Sequence, residues 1–199
     1  MVEKRHGDTA TAILEAARRC LLAEGYAATS TRKVASEAGV PLSQVHYHFT
    51  SKSGLMLALL EAENERRLAR QSAMYGRDAP LWQRYEQACD FLEDDLESGY
   101  VRVLQEMIAT GWSTPVIAEK VRSMQEGWFD LLTEVAGEAA ERFGGLGPFT
   151  PRELATLIGI AFIGGEAELL LGFDRHRMPV RSALRRVGQL IRELEERHR

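Results

Sequence analysis

A chain of 199 residues, 45% hydrophobic and 27% charged, carries enough apolar material for one or two globular domains and too much for a disordered tail. No apolar run reaches the ~18–20 residues of a membrane span, and the charged residues 1–8 have no hydrophobic stretch behind them, so a cytoplasmic protein without a secretory leader is expected. With 25 basic and 29 acidic residues the net charge is −4, which excludes a uniformly basic nucleic-acid binder; residues 1–52, with seven basic and five acidic side chains, are nevertheless at +2, leaving −6 for the remainder.

Glycine and proline divide the chain into about nine helices, with no alternating strand pattern, so the expected fold is all-α. Helix one spans about 9–24 and stops at Gly25. Two short helices follow: Val34, Ala35 and Ala38 prop the first, Gly39 takes the turn, and Val40, Val45 and Phe49 prop the second. Pro41 suits the first position of helix three. The outward side chains here are hydroxyls, an amide, imidazoles, a phenol and cations, all able to bond phosphates or base edges. Helix four, about 51–75, runs through Leu55, Met56, Leu59 and Leu60 into a charged stretch read as solvated, with Glu63 and Arg67 as an i,i+4 pair. A break at 76–80 follows.

Helix five places Leu81, Trp82, Tyr85, Cys89, Leu92 and Leu96 on one face and ends near Gly99; helix six puts Leu104, Met107 and Ile108 inward. Thr114 and Pro115 start a long helix seven whose stripe is Ile117, Val121, Met124, Trp128, Leu131 and Val135. After the glycine-rich linker 144–148, Thr150-Pro151-Arg152-Glu153 is a capping box that opens helix eight. This helix is apolar nearly all round and must be covered on two sides. Helix nine repeats Val180, Leu184, Val187, Ile191 and Leu194 at steps of 4 and 3, a heptad seam. The apolar surplus of helices eight and nine predicts a homodimer joined through a four-helix bundle, with Leu154, Ile158, Ala161, Gly165 and Leu169 on helix eight meeting the helix-nine seam. Cys20 and Cys89 read as reduced, buried thiols.

Ile13-Leu14-x-Ala16-Ala17, Leu21-x-x-x-Gly25-Tyr26-x-x-Thr29 and Tyr47-His48-Phe49-x-Ser51-Lys52-x-x-Leu55, with the two short helices between, resemble the TetR (tetracycline-repressor-like) family of bacterial regulators over about a quarter of the chain. His46 and Pro41 depart from the family pattern, which often has a tyrosine and a serine-like cap there. The resemblance implies a helix-turn-helix DNA-binding domain over residues 1–52 and an effector-binding and dimerisation domain over 53–199, connected by helix four. It assigns DNA contact to Thr31, Arg32, Lys33, Leu42, Ser43, Gln44, His46, Tyr47, His48 and Lys52, with Gln44 suited to adenine, Leu42 to a thymine methyl, and Tyr47, His48 and Lys52 to phosphates. Lys4 and Arg5 read either as a minor-groove arm or as a plain tail. The two copies would place their recognition helices in successive major grooves of a roughly palindromic operator.

The resemblance further implies a cavity for a small, largely apolar or aromatic effector. Its candidate lining is Trp82, Tyr85, Cys89, Tyr100, Met107, Trp112, Trp128, Phe162 and Glu166, with Glu106 as another acid within reach. Glu166, alone in an apolar helix after Gly164-Gly165, has three readings: a pair across the dimer, a ligand-orienting acid, or a solvated charge. The function implied is a ligand-responsive transcriptional regulator, a repressor released from its operator by the effector. A helical dimer acting through protein contacts and an all-α enzyme are the alternatives, the latter without any nucleophile, phosphate-loop or cofactor motif. No metal or cofactor is expected: His46 and His48, two apart on a helix, point about 200° away from each other.

Overall fold

The computed structural model describes residues 2–198, with side chains from residue 9 to residue 198, so Lys4 and Arg5 lie outside the described side chains. Among the described residues there are nine helices and no strand, as the sequence predicts. None of these helices is long and apolar enough to cross a membrane. The chain forms two compact units, one of residues 1–65 and 102–122, the other of 66–101 and 123–199. The first therefore holds more than the 1–52 head: it also takes the start of helix four and most of helix six.

In the first unit, α1 (Val2–Ala28) is broken at Gly25, whose φ of 78° and ψ of 171° are not helical. The helix thus continues past the expected stop for one short turn, and Thr29 closes it by donating its hydroxyl to the Gly25 carbonyl at 2.8 Å. Ser30 then caps α2 (Thr31–Ala38) through the Lys33 amide. Gly39 at φ 66° ends α2 in a left-handed cap, with Val40 N–H donating to Ala35 C=O at 3.0 Å, a reversal that a side chain would oppose. Pro41 is the residue before α3 (Leu42–Phe49), one place earlier than predicted, because its ψ of 143° is extended. The head's core is Ile13, Ala16, Ala17, Leu21, Val34 and Val45, all almost fully buried. From α6 (Tyr100–Gly111) the same unit gains Met107 and from α7 (Pro115–Phe143) Ile117, both buried.

Only Thr50 and Ser51 separate α3 from α4 (Lys52–Tyr75). Thr50 sits at φ 58°, ψ −45°, and Ser51 N–H donates to Phe49 C=O at 2.5 Å, a three-residue γ-turn. Such a backbone costs about 1–3 kcal/mol and holds only where its surroundings determine it. Ser51 then caps α4 through the Gly54 amide at 3.1 Å.

In the second unit α5 (Leu81–Ser98) packs on α9 (Val180–Arg197), and α9 on α8 (Pro151–Leu170). Thr150 and Glu153 form the predicted capping box, with Pro151 in the first turn. The inward stripe of α7 continues from Trp128 to Leu132, Ala136 and Ala139, while Leu131 and Val135 are half-buried. Both registers fit a 3.6-residue period, and packing selects the later one. Two glycines allow close helix contacts. A Cβ at Gly159 would fall on the Phe129 ring, and one at Gly188 would lie 3.3 Å from Tyr85 of α5.

Most of the helix-nine seam faces into its own subunit: Leu184 is buried, Val180, Val187 and Ile191 are half-buried, and Leu194 is exposed. Gly165 of α8 is buried against Val180. A heptad stripe identifies a buried face without telling whether its cover is the same chain or another copy. The large apolar side chains exposed on α8 and just after it are instead Leu157, Ile160, Leu170, Leu171 and Phe173.

Candidate functional site

The outer face of α2 and α3 carries Arg32, Lys33, Ser43, Gln44, His46 and Tyr47, all exposed, with Tyr47 at 68%. Thr31 and Leu42 are half-buried, so their methyl and methylene groups also prop the two helices. His48 is half-buried as well, its ring 5.1 Å from that of Tyr47 and 5.9 Å from that of Phe49. His46 Nδ1 lies 3.3 Å from the Thr50 carbonyl at the end of its own helix. Lys33 is ion-paired with Glu24. Local burial and short connections thus hold a set of donors and acceptors on one rigid edge, the arrangement needed to read a groove.

Lys52 has a structural task beside any phosphate contact. Its ammonium donates to the Tyr26 carbonyl at 2.6 Å and to the Ala27 carbonyl at 3.3 Å, and stands 4.2 Å over the Tyr26 ring. Burial holds its pKa below the ordinary lysine value. On the other side of the same residue, Tyr26 N–H donates to Glu106 Oε2 at 3.3 Å, and Arg102 donates to the Leu22 carbonyl at 2.7 Å. The break at Gly25 is therefore held by α6 on one side and by the first residue of α4 on the other. Glu106, expected among the acids of a ligand cavity, is committed here.

The nine residues expected to line an effector cavity do not form one wall. Trp112 is 84% exposed at the turn after α6, and Met107 is buried in the first unit. Trp82 is half-buried under the Arg192 guanidinium, 4.9 Å from its ring centre. Burial pushes the Cys89 thiol up to about 11, which makes it inert; Cys20 is also free, buried and raised.

Glu166, Tyr100 and Trp128 meet at an unexpected residue, Arg67. Its guanidinium bonds Glu166 Oε1 at 3.0 Å, lies 2.9 Å from Asp95 Oδ2, and faces the rings of Tyr100 and Trp128 at 4.8 and 5.5 Å. Arg70 joins through Asp95 at 2.6 Å, and Gln71 accepts from the Trp128 indole at 2.6 Å. Burial opposes the charge on Arg67, but Glu166, Tyr100 and Asp95 outweigh it and hold the guanidinium protonated. Within the stretch read as a solvated half of helix four, Glu61, Glu65 and Arg66 are exposed, but Arg67 and Arg70 enter a largely buried ionic cluster. The i,i+4 spacing of Glu63 and Arg67 concealed this, because spacing along one helix carries no information about carboxylates on two others. Glu166 is fully buried, which rules out a solvated charge, and its partner Arg67 lies in its own chain, an arrangement outside the three readings of the sequence.

Of the nine candidates only Tyr85 lines the apolar cavity of the second unit. That cavity has a volume of about 250 Å³ and lies among the end of α4, α5, α7, α8 and α9. Leu154, Ile158, Val187, Ile191 and Leu194, expected at the dimer interface, line it. Tyr75 and Tyr85 are the lining residues with polar side-chain atoms, and none of the lining residues is charged. The sequence did not mark it, because the space is made by alanines, which read as unremarkable.

Residues 13–59 match the model of bacterial regulatory proteins, tetR family. No match was found among curated proteins. Solved structures share the fold over nearly the whole chain. A TetR transcription regulator from Haloarcula marismortui is 19% identical, covering 93% of this chain and 96% of its own, with a TM-score of 0.76. A putative transcriptional regulator from Saccharomonospora viridis, in complex with choline, is 21% identical over 94% and 96%, at 0.75. The regulator FadR from Bacillus subtilis, in complex with stearoyl-CoA, is 14% identical over 91% and 96%, at 0.69.

Proposed function

We propose that the chain, whose residues 13–59 match the model of bacterial regulatory proteins, tetR family, is a homodimeric cytoplasmic repressor that leaves its operator when a small molecule binds the second unit. The observation that carries the DNA-binding half is the exposed row Ser43, Gln44, His46 and Tyr47 on a helix propped by Val45. In this reading Gln44 reads a base edge and Tyr47 bonds a phosphate. The ligand-bound relatives, one with choline and one with stearoyl-CoA, support a responsive second unit without naming the effector of this chain.

Transmission follows from connectivity. With two residues between α3 and α4, a rotation of α4 carries the recognition helix with it. A displacement of α6 also reaches α4, since Glu106 and Lys52 bond opposite sides of residue 26. An effector that binds the rotated form more tightly then shifts the population away from the DNA-competent one.

The test is a mobility-shift titration on the DNA flanking the protein's own gene, at physiological salt, against random duplex. Preferential binding that Gln44→Ala weakens by about 1–3 kcal/mol at a subset of sequences is expected. Equal affinity for both duplexes overturns the reading.

A further inference from the structure

We propose that the cavity among α5, α7, α8 and α9 is the effector site and that it takes an uncharged, mostly hydrocarbon molecule; this rests on reading the chain as a ligand-responsive regulator. The cavity is an apolar cleft of about 250 Å³ that opens to solvent at Leu190 and Leu194, both exposed. The space is there because Ala136 and Ala139 of α7 and Ala155 of α8 occupy buried positions at which larger side chains would close it. By comparison with a ~150 Å³ apolar cavity that holds benzene, it suits roughly ten non-hydrogen atoms.

The absence of net charge follows from the surroundings. No charged residue lines the wall, and the ions beside it are mutually committed: Arg84 to Glu138, and Arg142 to Glu195, which also accepts from the Leu81 amide at 3.0 Å. A carboxylate or ammonium entering the cavity would lose its hydration and gain no counter-charge. A second copy of the chain is the rival occupant: the exposed Leu190 and Leu194 lie at the cavity mouth, whereas the exposed Leu157, Ile160 and Leu171 are outside its wall.

Three probes with an eight-carbon chain separate these chemistries on the full-length protein: 1-octanol below its solubility limit, and octanoate and octyltrimethylammonium below their micellar concentrations. Calorimetric titration should show octanol binding about tenfold or more tightly than either ion. Ala136→Leu, or Ala139→Val should the first variant not fold, should abolish octanol binding and leave the melting temperature at or above that of the parent. Octanol should also release the operator. Equal binding of the three probes, octanol binding that survives the filled cavity, or no octanol binding by a protein that still holds its operator overturns the proposal, the last being the result if a second copy fills the space. Octanol binding that leaves the operator complex intact overturns the effector role. Failure of the regulator reading is separate, since it shows as absent operator preference in the ligand-free protein.

Discussion

Lys52 and Glu195 show how a single side chain can serve a purpose its position in a motif does not disclose. The Ser51-Lys52 pair was legible as a family signature, but its physical work is to cap α4 and to hold the carbonyls at 26 and 27. Lys52→Gln should therefore lower the melting temperature of the DNA-free protein by a few degrees, an effect that a lysine serving only phosphates would not have. Glu195 closes the start of α5, where Pro80 offers no side-chain cap. It accepts from the amides of Leu81 and Trp82 at 3.0 and 3.2 Å and pairs with Arg142. Burial pushes its carboxyl up, but the two amides and Arg142 overcome that and hold it below the ordinary value of 4.5. Because the folded-state pKa is the lower one, this stabilisation is complete above the unfolded value and disappears as pH falls through the folded one. Glu195→Gln should cost about 1–2 kcal/mol in urea unfolding at pH 7. The gap between variant and parent should narrow once the pH drops below about 4.5.

Among the elements, helix starts and stops were the most legible feature, because caps act over three or four residues: the Thr150–Glu153 box, the Gly39 turn and the Gly99 end all lie where the sequence places them. The direction of an apolar face was less legible. Helix nine reads as a dimer seam but turns inward on α5, and the charged part of helix four closes on Asp95 and Glu166. Both depend on partners more than twenty residues away, which periodicity along one helix does not register. Gly159 is the sharpest case of a residue whose worth is its missing side chain. Gly159→Ala should displace the Phe129 ring and destabilise the protein by about 1–3 kcal/mol in chemical denaturation, although alanine is the better helix former.

For the whole molecule, the apolar side chains left facing outward on α8 indicate where a second copy would attach. Ile160 is 57% exposed beside Leu157, and an arginine there would place a charge in the centre of that contact. Ile160→Arg should sediment as a monomer and bind operator DNA more than about tenfold more weakly, since one recognition helix alone makes too few contacts. Its head should stay folded, which circular dichroism would verify.

The three indoles lie in sharply different settings: Trp112 in open solvent, Trp82 beneath Arg192, and Trp128 against Arg67 and Gln71 of α4. With Trp82 and Trp112 replaced by phenylalanine, the protein would emit from Trp128 alone, and the colour of that light would depend on the cation beside the ring and the amide at its nitrogen. Any sliding of α4 along α7 would then be visible as a spectral change in an unlabelled sample, before a single base pair is added.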